Sequence, residues 1–193
     1  MTGSYFTNPV VFLVKTLLGL FTAVVLLRFL LQWLRADFYN PVSQFVVKVT
    51  TPVLHPFQRL IPDSAGLDLA ALVLAWLIKG VELGIVALIL RPEVNPLWAP
   101  AWALPELVDL TINIFVFAII VRVVMSQFNL DPYHSHPLTG LLDSLTEPIL
   151  GPARRLLPPI GGLDLSPILV MIGLFLLKML LIPPLNLMTG NPF

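Results

Sequence analysis

Residues 40–68 read NPVSQFVVKVTTPVLHPFQRLIPDSAGLD, and residues 136–164 read HPLTGLLDSLTEPILGPARRLLPPIGGLD. Overlaid at a spacing of 96, they match at Pro41/Pro137, Thr50/Thr146, Pro52/Pro148, Pro56/Pro152, Arg59/Arg155 and Pro62/Pro158. Both close on Gly-Leu-Asp, Gly66–Asp68 and Gly162–Asp164. So many prolines at one spacing mark an internal duplication, which has to be recognised before any element is assigned. In the preceding segments a spacing of 94 places Arg28 on Arg122, so the second copy has gained two residues near 131–135.

Outward from these stretches the chain turns apolar on both sides. Val10 to Leu34, Leu69 to Leu90, Pro105 to Met125 and Leu165 to Leu187 are each close to the ~20 residues that cross about 30 Å of hydrocarbon. Of 193 residues, 57% are hydrophobic and 11% charged, with a mean hydropathy of +0.90. Soluble domains carry about 25% charged residues, so a water-soluble globule is excluded. The expected fold is all-α and membrane-embedded: four transmembrane helices as two parallel hairpin repeats, residues 9–90 and 105–189, in one membrane domain. Each repeat has a linker, 36–68 and 129–164. An even number of spans per copy brings both copies in from the same side, hence a parallel repeat. Lys and Arg favour the cytoplasmic side in short loops. Arg35, Lys48, Arg59, Arg154 and Arg155 lie in the linkers, against Arg91 in the middle loop. The linkers are therefore expected inside and both termini outside.

The linkers carry an apolar stripe at helical spacing: Val42, Phe45, Val46 and Val49 in the first, Leu138, Leu141, Leu142 and Leu145 in the second. Each predicts a short amphipathic helix, lying in the interface or packed on the spans. Asn40 is a natural cap with Pro41 at the first helical position, and Pro52 and Pro148 are expected to end the two helices by removing a backbone donor. The following prolines, Pro56 and Pro152, predict a tight crossover. Arg59, Arg154 and Arg155 there, and Arg28 and Arg122 near the inner span ends, are expected to anchor on anionic lipid phosphates.

Lys15, Lys79, Glu82, Asp109, Asn113 and Lys178 form the candidate site, because ionisable groups inside spans are functional candidates by default. Lys15 aligns with Asp109 at 94 and Glu82 with Lys178 at 96, so each copy holds an acid and a base with signs exchanged. The expected ion pairs are Lys15 with Glu82 and Asp109 with Lys178, or crossed pairs between copies, up to a four-membered network. The cluster reads either as an ion path or as a device fixing which helices are neighbours. Gly80-x-x-x-Gly84 would permit close helix approach.

Other chemistry is closed. Eleven basic residues balance eleven acidic ones, leaving no basic face for nucleic acid, and cysteine is absent. Asp131, His134 and His136 lack a fourth ligand, so no metal site is assigned. No nucleophile with a base and no cofactor fingerprint is present, so no cofactor and no enzyme activity are expected.

The proline and arginine pattern of both linkers, Asn40-Pro41-x-Ser43, Thr50-x-Pro52-x-Leu54-x-Pro56-x-x-Arg59, Thr146-x-Pro148-Ile149-Leu150-x-Pro152-x-Arg154-Arg155 and Gly161 to Pro167, resembles the YggT family of small multi-pass bacterial inner-membrane proteins. The likeness spans nearly the whole chain. Ala70-Ala71 stands where the second copy has Ser166-Pro167, and His136 where the first has Asn40. The resemblance implies tolerance of osmotic stress and cation uptake, or alternatively a scaffold or assembly role in division or membrane complexes. It implies no catalytic residue. Expected partners are the bilayer, anionic lipids, and a membrane-protein partner or second copy of unassigned identity.

Overall fold

A computed structural model of the chain describes residues 3–36, 39–61, 67–127, 137–157 and 164–193. The elements among them are helical: α1 (Gly3–Trp33), α2 (Pro41–Leu60), α3 (Leu69–Leu90), a 3-10 turn (Pro96–Trp98), α4 (Ala99–Gln127), α5 (Pro137–Leu156) and α6 (Ser166–Thr189). Among the described residues, four helices are long and apolar enough to cross a membrane: Asn8–Trp33, Leu69–Leu90, Pro96–Ser126 and Ser166–Thr189. They meet in the order α1, α3, α4, α6, with α1 also touching α4. α2 and α5 pack at the opposite end of the bundle from the α3–α4 connection, and they touch each other.

Local chemistry sets the helix starts. Asn40 Oδ1 accepts from the Val42 N–H at 2.9 Å and Pro41 occupies the first turn. Asp68 Oδ1 accepts from the Ala71 N–H at 2.9 Å and caps α3. Gly190 closes α6 at φ 65, the left-handed conformation that glycine adopts without a Cβ clash.

Two expectations about proline are corrected. α2 does not stop at Pro52 but continues through Pro52 and Pro56 to Leu60, and α5 runs through Pro148 and Pro152 to Leu156. All four prolines lie on exposed faces, while Val46, Thr50 and Leu54, and Leu142, Thr146 and Leu150 at the same register in α5, stay buried. The carbonyls that lose their donors therefore point away from the packed face, where the helix can yield without breaking its core contacts. Likewise α4 begins at Ala99, six residues ahead of the expected Pro105, because Ala99, Trp102 and Ala103 are buried against α3 together with Leu83 and Ala87.

The α3–α4 contact is close. A Cβ on Gly80 would meet the Pro100 Cα at 3.5 Å, and one on Gly84 would meet the Ala99 Cβ at 3.6 Å. Trp76 Nε1 donates to the Pro100 carbonyl at 2.7 Å across the same seam. The largest apolar cluster joins α1, α4, α5 and α6 through Leu30, Leu31, Ile119, Leu142, Leu150 and Val170.

Candidate polar sites within and beneath the bundle

Glu82 sits eight residues, about 12 Å at 1.5 Å per residue, from the end of α3, and is 2% exposed. Its Oε1 accepts from Lys79 Nζ at 2.9 Å, one turn earlier on the same helix. Lys79 Nζ also lies 3.7 Å from Glu106 Oε2 on α4. Glu82 Oε2 is buried without a hydrogen-bond partner and faces α1, where a Cβ on Gly19 would lie 3.7 Å away.

On the other side of the bundle Lys178 of α6 meets Asp109 Oδ1 of α4 at 2.8 Å and Asn113 Oδ1 at 3.1 Å. Asn113 Nδ2 closes the triangle by donating to Asp109 Oδ2 at 2.9 Å. The expected pair Asp109–Lys178 is thus present. The expected pair Lys15–Glu82 is not: Lys15 is exposed on α1, with its ammonium 5.7 Å above the Phe193 ring. Glu82 instead takes a lysine from its own helix, since an i,i+3 partner needs no second backbone to position it. Five of the six sequence candidates form two separate groups rather than one network, and Lys15 stands apart from both.

A third polar region lies at the linker end, where Arg28 and Arg122 turn inward rather than out toward phosphate. Arg28 is 9% exposed; its Nε donates to Asp68 Oδ2 at 3.2 Å and its Nη1 to the Thr50 and Thr51 hydroxyls at 2.9 and 3.1 Å. Gln58 Nε2 donates to the same Asp68 oxygen at 3.2 Å. Arg122 donates to the Thr146 hydroxyl at 2.6 Å and pairs with Asp143 at 2.9 Å and Glu147 at 3.0 Å. Arg154, 96 residues after Gln58, bridges Glu147 at 3.0 Å and Asp164 at 2.9 Å. Arg59 and Arg155 are exposed at the ends of α2 and α5. The hydrogen bond from Arg122, reinforced by Arg154, holds the Glu147 carboxyl below its ordinary range against the cost of burial. Burial opposes ionisation of Asp164, but hydrogen bonds from Ser166 and Arg154 outweigh it and keep that carboxyl low as well.

Glu106, Gly19, Asp68, Asp164 and Glu147 were not singled out from sequence. Asp68/Asp164 and Thr50/Thr146 carried a signal, being identical at the spacing of 96. Glu106 carried none, since its contact with Lys79 exists only between helices. Asp131, His134 and His136 lie outside the described residues; among the described residues no group of three His, Cys, Asp or Glu could hold a metal ion. Between α1 and α4 runs an open groove of about 480 Å³, lined by Leu20, Val24, Phe117 and Leu142 and almost wholly apolar, which suits acyl chains rather than ions.

A family model described as CCB3/YggT matches residues 7–89 and again residues 101–185. An uncharacterized protein of Pseudomonas aeruginosa is 42% identical over 191 residues, covering 94% of this chain and 92% of its own. The uncharacterized protein YggT of Escherichia coli is 37% identical over 174 residues, 89% and 88% of the two chains. An uncharacterized protein of Haemophilus influenzae is 36% identical over 165 residues, 86% and 87%. No solved structure matches.

Proposed function

The chain belongs to the CCB3/YggT family, and from that premise we propose a non-enzymatic protein of the bacterial inner membrane that takes part in cation handling under osmotic stress. The observation that carries this reading is Glu82, a carboxylate 2% exposed in the middle of a 22-residue apolar helix. Thirteen Leu, Ile and Val in α3 contribute about −4 to −8 kcal/mol on the insertion scale, whereas two unpaired central charges cost roughly +5 to +7. The ion pair between Lys79 and Glu82 offsets part of that cost locally. A helix that keeps such charges where leucine would insert more easily points to a role for them beyond anchoring.

The architecture we propose has two parallel hairpin repeats with both termini outside. α2 and α5 lie as amphipathic helices in the cytoplasmic interface, with Arg59 and Arg155 reaching anionic phosphates at about 1 kcal/mol each. A second reading, a scaffold or assembly factor, is favoured by one feature of α6. Beyond Leu174 it has no buried residue, and Leu176, Met179, Leu180, Leu187 and Met188 are exposed, a surface for lipid, a second copy or another membrane protein.

Cation flux into liposomes holding wild type, Glu82→Gln or Asp109→Asn separates the two. Flux lost in the variants with folding intact supports cation handling; wild-type flux no greater than that of empty liposomes leaves the scaffold.

A further inference from the structure

The two intramembrane groups occupy corresponding places in their helix pairs but are not equally complete. Gly19 corresponds to Asn113 and Glu82 to Lys178 at the spacings of 94 and 96. In the α4–α6 pair, Lys178, Asp109 and Asn113 satisfy one another and the charges cancel. In the α1–α3 pair the place of the Asn113 amide is taken by Gly19, which has no side chain to offer, and Glu82 Oε2 is buried without a partner. Two acids, Glu82 and Glu106, share the single ammonium of Lys79. Lys15 of α1 acts on Glu82 only at longer range, its ammonium being turned to Phe193. The triad is therefore one positive charge short of neutrality, in a medium that penalises net charge.

We propose that Glu82 is a proton-binding site, loaded from the α3–α4 end of the bundle through Glu106 and Lys79. This rests on the cation-handling reading and names the proton as the ion. The side chain of Glu106 is 34% exposed and that of Glu82 3%, so the three residues run from a part-exposed carboxyl to an enclosed one. The transfer balances. Lys79 passes one ammonium proton to Glu82 Oε1 and takes one from protonated Glu106, leaving Lys79 an ammonium, Glu106 a carboxylate and Glu82 a neutral acid. The triad is then uncharged, and Oε2 becomes the carbonyl oxygen of a neutral carboxyl, which costs less to bury without a partner than an oxygen of a carboxylate. A hard metal cation takes several oxygen ligands, and Gly19 provides none from a side chain.

The test is infrared difference spectroscopy of the full chain in lipid nanodiscs, following the protonated-carboxyl band through a pH titration. Wild type should show a band that is lost in Glu82→Gln. In Glu106→Gln the band should remain but exchange its proton about a hundredfold more slowly, the low end of what a positioned acid–base group contributes. Gly19→Ser places a hydroxyl where it can donate to Oε2, and should weaken the band by favouring the carboxylate. The same band in wild type and Glu82→Gln, or a band displaced by sodium or potassium at constant pH, overturns the proposal. If Glu82→Gln does not fold, Gly19→Ser decides, and an unchanged band there overturns it. Because binding is read without transport, a titrating Glu82 with no liposome flux rejects the cation-handling reading alone, while flux without titration rejects the proton site alone.

Discussion

Arg28 Nε lies 3.2 Å from Asp68 Oδ2, forty residues along the chain, and the same aspartate caps α3 through the Ala71 N–H. One side chain of α1 thus ties the linker helix α2, through Thr50 and Thr51, to the start of α3. Arg122 reaches Asp164 only through two intermediate residues, Glu147 and Arg154. The first junction is sealed and the second open: Asp68 is 0% exposed, whereas the side chains of Glu147 and Asp164 are 50% and 34% exposed.

The two aspartates should therefore differ in weight. Asp68→Asn keeps an oxygen for the Ala71 N–H but leaves Arg28 buried and uncompensated, and should cost about 3–5 kcal/mol. Asp164→Asn removes a solvent-screened partner and should cost about 0.2–1 kcal/mol. Unfolding in mild detergent, followed by circular dichroism, measures both; equal losses contradict the sealed-versus-open distinction.

Docking of α5 should weaken in acid. Glu147 and Asp164 titrate below their ordinary values of 4.5 and 3.8 in the folded protein. A depressed carboxyl stabilises fully above its unfolded pKa and loses that contribution as pH falls through the folded one, so the effect is intact at neutrality and fades below about pH 4.5. Protease cleavage within residues 137–157 should rise over that range, and Glu147→Gln should show the raised cleavage already at pH 7.

The α3–α4 seam tolerates one methyl group and no more. Gly80→Ala places its Cβ in ordinary contact with Pro100 and should be close to neutral, whereas Gly80→Leu should force the helices apart. The chain has no native cysteine, so a disulfide between Gly84→Cys and Ala99→Cys reports the separation directly. It should form beside Gly80→Ala and fail beside Gly80→Leu.

Orientation is checked by single cysteines in intact cells. Ser4→Cys, Asn95→Cys and Asn191→Cys should react with an impermeant maleimide from outside, and Gln44→Cys only after permeabilisation. The opposite pattern would put α2 and α5 on the outer face.

The linker helices show where reading residues in order falls short. A proline predicts a break because it removes a local donor, and Pro52 and Pro148 each predict one. Whether a helix survives that loss depends on what its other face gains. Here Val46, Thr50 and Leu54, like Leu142, Thr146 and Leu150, are buried continuously across the proline positions. Arg28 misled for a related reason: an arginine near a span end can turn either way, and the buried Asp68 that turned it inward lies forty residues off.

Sequence alone determined the membrane class, the α3 boundaries from Leu69 to Leu90, the approximate limits of the other spans, and the family, because each follows from composition, runs of apolar residues or fixed spacing along one chain. It also pointed to Asp109 and Lys178 as partners, through the spacings of 94 and 96. Only the tertiary structure decided that Lys15 turns to Phe193 rather than to Glu82, that Glu106 of α4 joins Lys79, and that Gly19 leaves one carboxylate oxygen unmatched. Those are relations between distant segments, set by how close two backbones come and which side chains fill the space, and no interval along the chain encodes them.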